Sequence, residues 1–306
     1  MSDGPTQLPK SAWWRALKRA VKEFFADDML DWAAALTYYS ILSIFPGIVV
    51  LTAVVGLLGE SATQPLIENI QQLAPGGARD TLIGVIEQLQ GSASFAGPVA
   101  IIGLLGALWS ASGYIGGFIR ASNAVYEVEE GRPVWKTLPL RVFLTLAMVL
   151  LLAAAALGVV LTGGVAEQVG ELLGLGSTGV LVWNIVKWPV LAILVSLAIA
   201  LLYWASPNVR HLGFRWLTPG SALAVLTWVV ASLGFAFYVA NFASYNKVYG
   251  SLAAVIVFLM WLWISNIAIL LGAELDAELT RERQIEEGHP PEEEPFLEPR
   301  DTRAMD

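Results

Sequence analysis

Long apolar stretches alternate with short polar connections along most of this chain. Six stretches are long enough to cross a bilayer, and they cover residues 32–58, 97–119, 140–164, 180–204, 217–238 and 251–272. A hydrocarbon core about 30 Å thick requires about 20 apolar residues in helical form, because unpaired backbone groups are too costly in lipid. The pattern therefore predicts an all-α polytopic membrane protein whose six transmembrane helices lie within residues 32–275.

The segment before the first span is amphipathic with a helical period. Apolar side chains recur three or four residues apart, with cations on the other side. We expect an amphipathic interfacial helix in a cytoplasmic N-terminus of residues 1–31, either as a plain anchor for the first span or with a specific lipid or partner role. The apolar residues are Trp13, Trp14, Leu17, Ala20, Val21, Phe24 and Phe25, and the cations are Arg15, Lys18, Arg19 and Lys22.

The connection at about 59–96 is too long for a tight turn. It contains two weakly amphipathic runs, split by Pro75, Gly76 and Gly77. This pattern predicts a short helical hairpin on the outer face. Whether the hairpin caps a cavity or packs on the headgroups stays open at this point.

Composition and charge agree with a membrane protein and add an orientation. The chain is 56% hydrophobic and 14% charged, which is too apolar for a soluble domain of this size. Lysines and arginines are concentrated before the first span, in 120–141, at 210–215 and after the last span. Since cytoplasmic loops carry the excess of positive charge, we expect both termini to be cytoplasmic.

The C-terminal segment has a different composition from the spans. Glutamates and aspartates alternate there with Pro290, Pro291 and Pro295 and supply most of the net charge of −8. Such a composition is typical of disorder. We therefore expect residues 276–306 to form an acidic disordered cytoplasmic tail.

Polar residues inside spans are costly in lipid and are the first candidates for function. Tyr38 and Tyr39 precede Pro46, which removes a backbone donor and is predicted to act as a helix hinge. Lys187 either extends to the outer interface or faces the bundle and holds an anionic group. The predicted substrate path consists of Tyr38, Tyr39, Lys187, Tyr245, Asn246, Lys247, Asn266 and Glu274.

A second group of polar residues follows the spans on the cytoplasmic side. We predict a cytoplasmic cluster of Arg120, Asn123, Arg141 and Arg215. Glu274, near the same boundary, could pair with any of the three arginines of this cluster.

Four segments together resemble the YihY/BrkB family of bacterial inner-membrane proteins, once labelled ribonuclease BN-like. The segments are AAALTYYSILSIFPG, LWSASGYIGGFIRASNAVYEVEEGR, the Pro219 and Gly220 pair, and SYNKVYGSLAAVIVFLMWLWISNIAILLGAELDAE. The resemblance covers nearly the whole membrane domain. It implies six membrane helices and an inner-membrane location, and it supplies no catalytic residues.

Three classes of function compete. A metal-dependent ribonuclease needs several histidines and carboxylates around a cation, whereas this chain has two histidines, no cysteine and no basic surface suited to RNA. We therefore expect no enzyme, no cofactor, no metal site and no nucleic-acid partner. A protein that moves a lipid-like or anionic envelope molecule fits the intramembrane polar residues, with membrane lipids as partners. A membrane scaffold or envelope-assembly accessory protein, with envelope proteins as partners, is the alternative.

Overall fold

The computed structural model describes residues 8–57, 96–160, 166, 176–210, 213–214, 216–241, 252–291 and 294–305. In this part the chain forms seven helices: α1 (Lys10–Ala26), α2 (Met29–Leu57), α3 (Ala96–Val125), α4 (Val134–Val160), α5 (Gly176–Ala205), α6 (Pro219–Asn241) and α7 (Leu252–Glu286). Extended pairing among the described residues amounts to one bridge, between Val209 and Pro299. The predicted all-α class is confirmed.

Helices α2 to α7 overlap the six predicted spans. The shortest, α6, has 23 residues. At about 1.5 Å per residue, it is longer than a hydrocarbon core of about 30 Å. Among the described residues, four helical segments meet both the length and the composition of a membrane span: Val134–Ala155, Thr178–Ala205, Pro219–Val239 and Val255–Glu286. The structure thus has the helices of a membrane protein, while six spans with cytoplasmic termini stay a prediction.

Several helices extend beyond the predicted spans. Helix α3 continues to Val125, and α7 continues to Glu286. The predicted ends were set where charged residues begin, but backbone hydrogen bonding continues past them. Helix α2 runs without interruption through Pro46, and Pro139 lies inside α4. The hinge at Pro46 stays a prediction, and the predicted outer hairpin at about 59–96 falls outside the described residues but for its last residue.

The chain divides into two compact units, which are described separately. One consists of Met1–Thr37 with Ile115–Asp306, and the other is Tyr38–Tyr114. In the smaller unit the Tyr39 ring lies over α3, because a Cβ at Gly113 would be 3.3 Å from Tyr39 Cδ1. The remaining contacts in this subsection belong to the larger unit.

Helices α6 and α7 approach so closely that glycine is required where they meet. A Cβ at Gly272 would collide with the Gly220 carbonyl oxygen and would lie 2.8 Å from Ala224 Cβ. Small residues of this kind let helix backbones touch in membranes. The Gly220 amide also donates to Asp276 Oδ1 at 2.7 Å, so the carboxylate satisfies an open donor in the first turn of α6.

Helix α1 packs on the second half of α7 through alanines. Ala12, Ala16 and Ala20 are fully buried, one helical turn apart, against Leu275 and Leu279. A stripe of alanines lets two helices lie close together, because no long side chain separates them. This contact holds α1 against the second half of α7.

Ion pairs reinforce the contact between α1 and α7. They differ from the sequence-based expectation that the arginines of α1 face lipid headgroups. Arg15 pairs with Glu282 at 2.7 Å, and Arg19 pairs with Glu278 at 2.7 Å. The interfacial prediction placed both arginines near headgroups and Phe24 in lipid. In the structure both arginines face carboxylates of α7 and Phe24 is buried, because a helix beyond the span offers α1 a protein surface.

The C-terminal segment is ordered where the structure describes it, so the predicted disorder of 276–306 is wrong there. Helix α7 occupies its first part to Glu286. Residues 298–304 then bond to two loops: the Arg300 amide donates to the Asn208 carbonyl at 2.9 Å, and the Ala304 amide donates to the Gly131 carbonyl at 2.9 Å. The acidic composition misled the prediction because these charges have arginine and lysine partners, as described below.

Candidate functional site

Lys187 is buried inside a helix of membrane-spanning length. It is 5% exposed, and its Nζ donates to Asn184 Oδ1 at 3.0 Å and lies 5.6 Å from the centre of the Trp188 ring. Ile185 and Trp188, its neighbours along α5, are each 65% exposed. The outward surface of α5 is therefore apolar, and Lys187 faces the protein. Of the two interpretations left open by the sequence, the structure favours the inward-facing lysine.

Asn266 is the second buried polar residue of the predicted path. It is 4% exposed on α7, and its Nδ2 donates to Thr37 Oγ1 on α2 at 3.1 Å. The Thr37 hydroxyl in turn donates to the Ala33 carbonyl at 2.8 Å. The sequence required a partner for Asn266 inside the protein, and Thr37 supplies it.

The two tyrosines of the predicted path have different surroundings. Tyr38 is 60% exposed, which does not favour a role inside a closed path. Tyr39 lies over Gly113, and its carbonyl accepts a bond from Ser43 Oγ at 2.8 Å. The Tyr39 ring therefore packs on α3 within the smaller unit, and its place in the path stays a prediction.

Glu274 lies deep inside the larger unit among other acids. It is 1% exposed, and its Oε1 accepts no hydrogen bond. The nearby charged groups Asp27, Glu278 and Glu23 are all carboxylates. Among the described residues no cation pairs with Glu274. Of the three arginines that the sequence offered as partners, Arg215 lies outside the described residues, so a pair with it stays a prediction.

The same acidic surroundings affect Asp27 in the short connection between α1 and α2. Burial, followed by the charge of Glu23, raises the pKa of Asp27 to about 6. Glu294 from the C-terminal segment and Asp28 act in the same direction. Carboxylates from α1, α7 and the C-terminal segment therefore converge at one end of the larger unit.

The other predicted site residues divide between described and undescribed parts. Tyr245, Asn246, Lys247 and Arg215 lie outside the described residues. Arg120 is exposed at the end of α3. The Arg141 guanidinium lies against Gly116, where a Cβ would be 2.8 Å from Arg141 Cζ.

Asn123, the fourth member of the predicted cytoplasmic cluster, lies in a polar hub that the sequence did not reveal. Its Nδ2 donates to Glu130 Oε2 at 3.0 Å, and its Oδ1 accepts the Asn208 amide at 2.7 Å. Arg132, only 6% exposed, binds Glu130 through Nε and Nη2, each at 2.7 Å. Arg132 Nη2 also donates to the Ser206 carbonyl at 2.7 Å.

Charge pairing sets the ionisation of this hub. Burial acts to raise the pKa of Glu130, but the hydrogen bonds and the charge of Arg132 outweigh it and lower the pKa. Bonds from Arg303 and Lys136 hold the pKa of Asp301 well below its usual range. Both acids are therefore ionised at neutral pH and act as acceptors.

Asn208 connects the hub to the C-terminal segment. It is completely buried, its Nδ2 donates to the Glu129 and Asp301 carbonyls, and its Oδ1 accepts the Asp301 amide at 3.1 Å. Gly131 touches the same segment, and a Cβ there would collide with the Asp301 carbonyl. A buried asparagine whose side chain makes three hydrogen bonds to backbone groups is typical of a residue that holds two segments together.

Among the described residues no three histidine or carboxylate side chains are grouped so as to hold a metal ion. The hub and the acidic end of α7 are both built from carboxylates, arginines and amides. Arrangements of this kind hold loops and helices together through charge-assisted hydrogen bonds.

Comparison with known proteins identifies the family. The profile of a family described as virulence factor BrkB matches residues 20–296. The chain belongs to this family. The resemblance inferred from the sequence is thus confirmed over nearly the whole chain.

Three relatives are each 30–32% identical to this chain. The chain is 30% identical over 274 residues to the putative ribonuclease-like protein YfkH of Bacillus subtilis (strain 168), which covers 90% of this chain and 98% of the relative. It is 31% identical to a UPF0761 membrane protein of Chromohalobacter salexigens over 89% of this chain, and 32% identical to one of Alkalilimnicola ehrlichii over 84%. The chain spans 65% and 56% of those two relatives. No solved structure matches.

Membership in the BrkB family and the named relatives make this chain a membrane protein. Neither the family description nor the UPF0761 names indicate a catalytic function. The ribonuclease-like name belongs to the Bacillus relative.

Proposed function

We propose that this BrkB family protein moves or handles an amphiphilic, lipid-like or anionic envelope molecule along a polar path in its helix bundle. We place it in the bacterial inner membrane with six spans and no catalytic role. The observation that carries the proposal is Lys187, a cation buried within a helix of membrane-spanning length.

An ammonium group is costly at membrane depth, and such groups mark ligand or ion pathways more often than they serve packing alone. Lys187 carries its charge on the inward side of α5, next to the amide of Asn184. A headgroup phosphate or carboxylate passing along the bundle would gain a strong ionic hydrogen bond there. The ligand class that fits this chemistry is an anionic amphiphile.

The remaining members of the path follow in the proposal from chain order. Tyr245, Asn246 and Lys247, which follow α6 in the sequence, are proposed as the outer mouth. Asn266 lies further along α7, and Glu274 lies towards the opposite end. Movement would be gated by shifts of helices, with Pro46 as the hinge in α2.

The proposal is tested by reconstituting the full chain in liposomes that contain a fluorescent phosphatidylglycerol with a nitrobenzoxadiazole label. Dithionite bleaches the label in the outer leaflet, so the protected fraction reports transbilayer movement. We expect the protein to accelerate this movement over protein-free liposomes. Lys187→Met should slow it about tenfold, the factor that about 1.4 kcal/mol of lost interaction produces.

Ile185→Met is the matched control, because it places the same side chain two residues away on the exposed side of α5. It should leave the rate unchanged. Lys187→Met should also leave folding intact, because methionine fills most of the space of the lysine stem without its charge. Equal rates for protein-containing and protein-free liposomes, or equal rates for wild type and Lys187→Met, would refute transport through this residue.

A scaffold or envelope-assembly accessory role is the second candidate. The observation that favours it is the polar hub, in which Arg132, Glu130 and Asn208 use their side chains to fix loops to one another. A protein built to present a fixed surface would need such bonds. This role would be supported if the protein did not accelerate lipid movement in liposomes while the hub remained folded.

A further inference from the structure

Helix α1 has a second face that its contacts with α7 leave open. Trp14, Leu17, Val21 and Phe25 are 59%, 36%, 46% and 62% exposed. Their spacing of three or four residues places them in one stripe along the helix. A continuous stripe of large exposed apolar side chains marks an interaction surface.

A groove opens between this stripe and α7. Its volume is about 400 Å³, and its walls are Lys10, Trp13, Trp14, Leu17 and Leu275. Four of these five side chains are apolar, and the cation comes from the first residue of α1. Binding sites for small molecules have volumes of about 300–1,000 Å³, so the groove has room for part of an extended hydrocarbon chain.

The charges of α1 are divided between its two sides. Arg15 and Arg19 are paired with Glu282 and Glu278 of α7. On the open side Lys18 is exposed, and its Nζ lies 5.3 Å from the centre of the Trp14 ring. The open side therefore presents apolar and cationic groups, which complement an anionic amphiphile.

The groove lies between elements that connect to helices of membrane-spanning length. Leu275 lies on α7, the helix whose apolar part exposes Val255 and Phe258 at 55% and 42%. Two residues join α1 to the start of the membrane-length helix α2. Short tryptophan-bearing helices with lysines at this position lie in the headgroup region, so a lipid is the occupant that the surroundings supply.

We propose that the groove between α1 and α7 binds an anionic phospholipid, with an acyl chain against Trp13, Trp14 and Leu17 and the phosphate beside Lys10. Because α1 is held on α7 through Arg15 and Arg19, the lipid binds a preformed site on the protein. This site uses none of the residues of the proposed transport path, and it stands or falls independently of transport.

The cysteine-free chain allows a clean test. Val21→Cys carries a bimane label on the same stripe but outside the groove walls. The labelled protein is placed in phosphatidylcholine bilayers with a small fraction of brominated phosphatidylglycerol or, in parallel, brominated phosphatidylcholine. We expect stronger quenching by the anionic lipid at equal mole fraction. Lys10→Ala should weaken this preference about fivefold, as expected for one lysine near an anionic surface, and Lys10→Arg should restore it.

Lys22→Ala is the matched control, because it removes the same charge from an exposed position of α1 outside the groove. It should keep the preference for phosphatidylglycerol. Equal losses in Lys10→Ala and Lys22→Ala would show general attraction to a charged surface and overturn the site. Equal quenching by the two lipids in wild-type protein would overturn the anionic preference as well.

Discussion

At the scale of single residues, Gly272 and Gly220 decide how closely α6 and α7 approach. Each lies against the carbonyl oxygen of the other, and Gly272 also lies under the Tyr203 hydroxyl. That hydroxyl donates to the Ile269 carbonyl, which ties α5 to α7 at the same level. No side chain fits at either position without moving a helix backbone.

Gly272→Ala should therefore destabilise the protein strongly. A methyl group would meet the Gly220 carbonyl, the Tyr203 hydroxyl and Ala224, and overpacking of this kind costs about 1–3 kcal/mol or more. The measurement is the thermal unfolding of detergent-solubilised protein by intrinsic fluorescence. Gly234→Ala on α6 is the control, since nothing lies within 4 Å of a Cβ there and alanine favours helix. Equal stability of the two variants would show that α6 and α7 do not cross at this point.

The sequence identified Asn266 and Lys187 as buried polar residues but did not identify the residues that they contact. Asn266 was predicted to need an acceptor or donor inside the protein, but Thr37 lies 229 positions away, so no local pattern connects them. The charge of Lys187 is costly within a membrane span, which the sequence shows. Whether its side chain points into the protein depends on which side of α5 packs against other helices. Apolar periodicity does not decide that direction, because α5 is apolar all round.

At the scale of elements, the long apolar helices were predictable and the two ends of the chain were not. Long apolar runs report membrane helices directly. The alanine stripe of α1 and the acidic end of α7 are complementary, but each taken alone is typical of a surface helix. The composition of the C-terminal segment predicts disorder for the same reason, since it does not show that Asp301 pairs with Lys136 of α4 or that Glu294 pairs with Arg281 of α7.

Asn208→Leu should release the C-terminal segment from the hub. Leucine has a similar volume but makes none of the three side-chain bonds to Glu129 and Asp301, and each buried group left unpaired costs about 1–3 kcal/mol. Limited proteolysis by a glutamate-specific protease should then cut within 287–305 faster than in wild type, while the helices stay intact.

Arg210→Ala provides the control for this experiment. Arg210 also bonds the segment, but its pair with Glu298 is 66% and 80% exposed at the side chains, and exposed pairs contribute little. Its cleavage rate should stay close to that of wild type. If Asn208→Leu were as resistant as Arg210→Ala, the buried asparagine would not hold the segment.

At the scale of the whole molecule, contacts between distant loops bear on how the larger unit sits in the membrane. Arg132, after α3, donates to the Ser206 carbonyl after α5, and Ala304 donates to the Gly131 carbonyl. Helix α1 lies on the far half of α7. Groups in direct contact at the ends of spanning helices must share one side of a membrane. The N-terminal helix, both loops and the C-terminal segment are therefore expected on the same side.

This arrangement coincides with the distribution of lysines and arginines, which assigns that side to the cytoplasm. Single cysteines at Glu129, Thr302 and Thr178 test it in a chain that has no others. Thr178 is exposed near the start of α5, at the opposite end of that helix from the hub. In intact cells an impermeant maleimide should label Thr178→Cys alone, and in permeabilised cells it should label all three. Labelling of Glu129→Cys and Thr302→Cys from outside would reverse the orientation. If only one of those two were labelled, the loop after α3 and the C-terminal segment would lie on opposite sides, which the hub does not allow.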